Sequence, residues 1–159
     1  MSHSCGECTL CCKLLGVEEL KKPAGVRCQH VKMGKGCMIY KDRPPSCAEF
    51  ACLWLARDEL PEELRPDKVH MVMATGEDPT DMLVWVERLY PDAWLKEPMH
   101  GLLKALAESG MTVIIGIEGR RDKIILERSR DGIVTVEKVE FSKPDELGRQ
   151  YRIKNVLLR

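Results

Sequence analysis

Two thirds of this chain carries no cysteine: the last one is Cys52, and none follows before Arg159. A disulfide framework spanning the whole fold is thereby excluded, and the C-terminal part must hold together by burying apolar side chains. No run approaches the roughly 20 apolar residues that a membrane helix needs, so no span is expected. The opening MSHSCGEC lacks the basic-then-apolar layout of a secretory signal, which makes the cytoplasm the expected compartment. Neither sign of charge is in excess: 25 Lys and Arg meet 25 Asp and Glu. The balance speaks against nucleic acid and an anionic membrane as partners, since there is no basic field to gather them. Aromatic residues, at 5%, are too sparse for a base-stacking platform. Walker, dinucleotide-glycine, HExxH and GxSxG motifs are missing too. Catalysis, if any, would have to come from a metal.

What is present begins with the eight cysteines between Cys5 and Cys52. In a reducing compartment, thiols this dense are metal ligands more often than disulfides. Their segment is broken by Pro23, Gly25, Gly34, Gly36, Pro44 and Pro45, and a loop-rich piece of this size buries too little apolar surface to stand alone. Metal binding is the usual source of the missing folding energy. Residues 1–56 are therefore expected to form a cysteine-cluster metal-binding module, and residues 57–159 an α+β region. Within the module two short helices are expected, from Cys5 to about Leu15 and from Ser46 to about Arg57, with Ser46 as the N-cap. A charged, proline-marked connector follows from Asp58 to Asp67.

From Lys68 onward the pattern turns to short β-branched or alternating runs. Val69 to Thr75, Met82 to Leu89, Thr112 to Glu118, Lys123 to Arg128, Ile133 to Phe141 and Tyr151 to Leu158 read as strands. Met99, Leu102, Leu103, Leu106 and Ala107 form a helical stripe, and Gly110 stands where a helix C-terminus would put it. The turns at Glu118-Gly119-Arg120-Arg121 and Ser129-Arg130-Asp131-Gly132 favour antiparallel pairing of the strands they join. The expected fold is α+β: a loop-rich, metal-stapled module with a small antiparallel sheet and one main amphipathic helix.

The cysteines run Cys5-x2-Cys8-x2-Cys11-Cys12, then Cys28, Cys37, Cys47 and Cys52, with gaps of 15, 8, 9 and 4 residues. A CxxC step lets both sulfurs turn toward one ion. Cys11 and Cys12 are adjacent, and adjacent side chains diverge, so they should serve different centres. If the segment is helical, Cys5, Cys8 and Cys12 share a face and Cys11 points toward a second centre. Eight thiolates divide evenly into two four-sulfur sites, either two zinc ions or iron–sulfur clusters. Residues 1–52 carry eight Lys/Arg against five Asp/Glu. Loaded with two divalent ions and eight thiolates the segment comes out near −1. Lys32, Lys35, Lys41 and Arg43 are the expected neighbours of the sulfur charge. The run departs from the bacterial ferredoxin spacing, in which the fourth cysteine comes three residues on and precedes a proline.

CGECTLCC, RCQH, GKGCMIY and RPPSCAEFACLWL together resemble the YkgJ-type cysteine-cluster family, the zinc- or iron-chelating CxxCxxCC domain. The resemblance covers about residues 5–55 and includes the order of all eight cysteines. It implies metal chelation by Cys5, Cys8, Cys11, Cys12, Cys28, Cys37, Cys47 and Cys52. A related arrangement occurs in bacterial flagellin lysine methylases. Ala48 departs from the arginine that the family often has after that cysteine. Two functions follow as expectations. One is a protein with two zinc–thiolate sites and a structural, regulatory or protein-partner role. The other is an iron–sulfur protein that transfers electrons or supports a redox or methyl-transfer reaction.

His3 and His30 lie beside cysteines but are read as loop or supporting residues, because the thiols suffice. His70 and His100 are read as packing or surface residues, and Trp54, Trp85 and Trp94 as core anchors. Tyr40 and Ile39 are expected to cover the metal. Glu18-Glu19 and Glu62-Glu63 are read as solvated faces, and Arg120-Arg121-Asp122-Lys123 as a turn with mixed charge.

Overall fold

A computed structural model describes residues 3–143 and 152–157, with side chains given up to Glu140 and at Ser142 and Lys143. The chain forms two compact units, Met1–Ala74 and Thr75–Arg159.

The first unit is assembled from short pieces. Helix α1 spans Cys11–Leu14, strands β1 (Val31–Lys32) and β2 (Gly36–Cys37) form a small antiparallel hairpin, and helices α2 (Pro45–Glu49), α3 (Leu53–Ala56) and α4 (Pro66–Val69) follow. Strand β3 (Met71–Thr75) leads out of it. Leu10, Leu14, Val17, Trp54 and Leu64 are buried here, and Trp54 Nε1–H donates to the Pro61 carbonyl at 3.3 Å. The two longer helices expected from the sequence are cut down. Gly6 adopts a left-handed φ of 47°, which no α-helix contains, so helical structure begins only at Cys11. The second breaks at Phe50 and Cys52, both extended, leaving α2 and α3 separate. Pro44, rather than Ser46, stands at the N-cap of α2, with Pro45 in the first turn, where its missing N–H costs nothing.

The second unit contains the regular structure. Strands β4 (Asp81–Val86), β5 (Thr112–Ile117), β6 (Lys123–Arg128), β7 (Val134–Phe141) and β8 (Arg152–Leu157) lie side by side in chain order. The predicted strands match to within about three residues at any end; Tyr151 and Leu158 lie outside the described residues. The tight turns join antiparallel neighbours, β5 with β6 and β6 with β7. The sheet as a whole is mixed, because β4 and β5 run parallel from Asp81 opposite Thr112 to Val86 opposite Ile117. The intervening helix α5 (Met99–Glu108) supplies the long crossover that parallel pairing requires. The sequence stripe had placed that helix but not the direction of the strands it connects.

Alternation explains the core. Met82, Val84 and Val86 are buried along β4 while Asp81, Leu83 and Trp85 are half-exposed. Val113, Ile115 and Ile117 do the same along β5, and Met99, Leu103 and Ala107 supply the buried stripe of α5. The Leu103 side chain is fully buried, a contribution of about 1.5–3 kcal/mol relative to exposure. No helix among the described residues is long and apolar enough to cross a membrane.

Candidate metal centre

Each cysteine of the first unit is placed by a specific local device. Cys8 N–H donates to the Cys5 carbonyl at 2.8 Å, closing a turn that carries both thiols. Cys11 and Cys12 open α1, and Cys28 N–H reaches back to the Cys12 carbonyl at 3.0 Å. Cys37 sits opposite Val31 in the hairpin. Cys47 N–H donates to the Pro44 carbonyl at 3.0 Å, and Cys52 precedes α3. Gly36 fixes the hairpin against the first turn: its φ is 85°, and a Cβ there would collide with the Gly6 carbonyl oxygen. Only glycine satisfies both conditions, and the contact brings the Cys37 and Cys5 backbones together.

The outcome is two cavities walled by sulfur. The larger, about 170 Å³, is lined by Cys5, Cys8, Cys11, Cys12, Cys28, Cys37 and Cys47. The smaller, about 20 Å³, is lined by Cys5, Cys8, Cys11 and Cys52, with Trp54, Pro66 and Val72 as apolar walls. All eight cysteines are free thiols. Every one of them faces at least one cavity, and Cys5, Cys8 and Cys11 face both. Both Cys11 and Cys12 line the larger cavity with Cys5 and Cys8, and Cys11 alone accompanies them in the smaller one. Residues 5–10 are not helical, so a shared helix face does not bring these thiols together. Adjacent Cys11 and Cys12 form a close pair, thiol against thiol, and of the two only Cys11 also lines the smaller cavity.

The thiols feel strong local fields. The Cys11 thiol donates to the Cys12 sulfur, which holds Cys11 protonated and, as the largest effect, draws the Cys12 pKa down to about 7. Burial opposes that fall, whereas Lys22 and Arg27 assist it. Burial lifts Cys8 to about 11 and also raises Cys47 and Cys52. Without metal, then, Cys8, Cys11, Cys47 and Cys52 are held toward the neutral thiol, and binding metal through them must release protons.

The cations beside the sulfurs are not those the sequence pointed to, Arg43 excepted. Lys32, Lys35 and Lys41 are exposed. Arg43 lines the larger cavity, its guanidinium 4.0 Å from the Tyr40 ring centroid, and feels Cys5 and Cys37. Lys22, Arg27 and Arg65 are the additions. Lys22 is only 8% exposed, and burial lowers its pKa while Cys28, Cys12, Cys47 and Cys11 raise it. No simple sequence signal marked it, since Lys21-Lys22 reads as an ordinary solvated pair.

Neighbouring polar residues take structural positions. The His3 ring stacks on Trp54 at 4.0 Å and its Nδ1 lies 2.7 Å from the Trp54 carbonyl, while His30 Nε2 lies 3.4 Å from Gln29 Nε2. Neither lines the larger or the smaller of these two cavities. Tyr40 and Ile39 do line the larger one, and Tyr40 O–H points at Cys5 Sγ from 3.9 Å. Glu19 is not merely solvated. Its carboxylate accepts from Ser46 N–H at 3.1 Å and Ser46 O–H at 2.8 Å, capping α2 from a distant segment. Glu62 accepts from Arg65 at 2.6 Å.

Eight soft thiols suit zinc or iron–sulfur chemistry in donor type and number. Their spacing is wider than a closed ion site. Among the described residues no three His, Cys, Asp or Glu side chains already stand close enough to hold one ion. Comparison with protein families, curated proteins and solved structures returns no match to this chain.

Proposed function

We propose that the first unit is a metal-binding module in which Cys5, Cys8, Cys11, Cys12, Cys28, Cys37, Cys47 and Cys52 are the ligands of two adjacent thiolate centres. The carrying observation is that all eight cysteines line two cavities with a shared wall. In this reading Cys5, Cys8, Cys11 and Cys52 surround the small centre, and Cys12, Cys28, Cys37 and Cys47 complete the large one. The resemblance of residues 5–55 to the YkgJ-type family points the same way.

The four cysteines of the smaller cavity match the donor number of a structural zinc, and binding one would draw their side chains together. The seven cysteines on the larger cavity, more than one tetrahedral ion can bind, favour a second reading, a polynuclear iron–sulfur centre. Such a centre supplies one-electron chemistry when bound. The chain's own residues contribute ligands, apolar cover from Ile39 and Tyr40, and positive charge from Arg43, Lys22 and Arg27. The second unit is left as the surface for a protein partner.

Metal and acid-labile sulfide analysis, with a visible spectrum, on protein purified without oxygen tests the proposal. Iron with sulfide and a brown colour supports the polynuclear reading. Two zinc ions in a colourless protein support the structural one. Well-folded protein empty of metal would refute both.

A further inference from the structure

Among the described residues, Arg43 is the one Asp, Glu, Lys or Arg side chain that lines the larger cavity. The rest of the wall is mostly thiol and apolar surface, the latter from Leu15, Val17, Leu20, Ile39 and Phe50. Two other polar side chains reach it, and both are engaged. Tyr40 turns its O–H toward Cys5 Sγ at 3.9 Å, and Ser46 gives its O–H to Glu19 at 2.8 Å. The Arg43 guanidinium lies over the Tyr40 ring, 4.0 Å from its centroid, so the aromatic face holds it in place. No salt bridge joins it to a carboxylate among the described residues. Arg43 is half-exposed and Tyr40 exposed, so the pair meets solvent as well as the cavity. A planar fork of N–H donors beside an apolar hollow suits a carboxylate carried on an apolar body.

We propose that the larger cavity is a binding site for small molecules that join a carboxylate to an apolar or aromatic body, with Arg43 as the residue that recognises the carboxylate. Leu15, Val17, Leu20 and Phe50 supply the apolar contact, and the thiols share the same wall. This goes beyond the metal reading: it gives the cavity a ligand of its own and stands on the position of Arg43, whichever metal is held. The plainer role for Arg43 is packing on Tyr40. Packing alone would not distinguish a carboxylate from a neutral molecule of similar size, and that difference is measurable.

The test uses the full chain as isolated and compares two aromatic disulfide reagents: dithiobis(nitrobenzoate), which carries a carboxylate on each ring, and the neutral dithiodipyridine. Mass spectrometry of the labelled peptides gives a rate for each cysteine. The ratio of the two reagents' rates at one thiol cancels its intrinsic reactivity and its metal occupancy. In Arg43→Gln that ratio should fall by on the order of tenfold at Cys28, Cys37 and Cys47, the effect of one charge-assisted pair. Cys52, which lines only the smaller cavity, should keep the parent's ratio. Arg43→Lys retains the charge and should stay within about threefold of the parent. An unchanged ratio in Arg43→Gln would overturn the proposal, as would a fall of the same size at Cys52 or in Arg43→Lys. Should Arg43→Gln fail to fold by circular dichroism, added salt takes its place. The parent's preference for the carboxylate reagent at those three thiols should then weaken as salt rises, and a constant preference would overturn the proposal. Parent protein that is empty of metal but keeps the preference would sink the metal reading and leave this site standing.

Discussion

Gly36 and Gly34 form a matched pair of perturbations for the hairpin that carries Cys37. Both have left-handed backbones, with φ of 85° and 71°. Alanine at either position pays for that conformation, about 1–2 kcal/mol. They differ in surroundings: a Cβ on Gly34 meets nothing within 4 Å, whereas one on Gly36 runs into the Gly6 carbonyl oxygen. That oxygen is backbone and cannot swing aside, so overpacking adds about 1–3 kcal/mol. Gly36→Ala should therefore cost about 2–5 kcal/mol in total, and Gly34→Ala only the smaller part. The assay is labelling of native thiols with a disulfide reagent after metal removal. Every cysteine lies between Cys5 and Cys52, so the signal reports the first unit alone. At 1.4 kcal/mol per tenfold, Gly36→Ala should label at least about fivefold faster than Gly34→Ala. Equal rates for the two variants would mean that the hairpin and the Cys5 turn do not touch, and the route by which Cys37 joins the cluster would be wrong.

Other substitutions probe separate parts of the account. Leu103→Ala should cost about 2–5 kcal/mol by leaving a hole beneath α5, read as a lower denaturant midpoint of the second unit. Trp54→Ala should cost about 3–5 kcal/mol and raise thiol reactivity in the first unit, since the indole walls the smaller cavity; unchanged labelling would contradict this. Cys52→Ser and Cys28→Ser should each lower metal content but remove different equivalents, because the two sulfurs face different cavities. Identical losses would argue for a single merged centre.

The second unit was legible because its chemistry is periodic. Alternation along β4 and the stripe of Met99, Leu103 and Ala107 express the same faces that the fold buries. Strand direction was less visible: the tight turns announced antiparallel pairs, but the parallel β4–β5 pair depends on where a crossover lands. In the first unit the number and order of sulfurs could be read directly, but their grouping could not. The expected grouping assumed a helix from Cys5, while Gly6 at a positive φ and the Cys5–Cys8 turn replace that helix and leave both Cys11 and Cys12 on the larger cavity with their predecessors. The break at Phe50 likewise sends Cys47 and Cys52 to different cavities. Lys22 and Glu19 act through long-range folding of loops, which no local pattern encodes.

Both proposed centres require these sulfurs to converge on bound metal. X-ray absorption at the edge of the metal found in oxygen-free protein measures that shell directly. Sulfur ligands alone are expected, near 2.3 Å if the metal is zinc. A shell dominated by nitrogen or oxygen would contradict it.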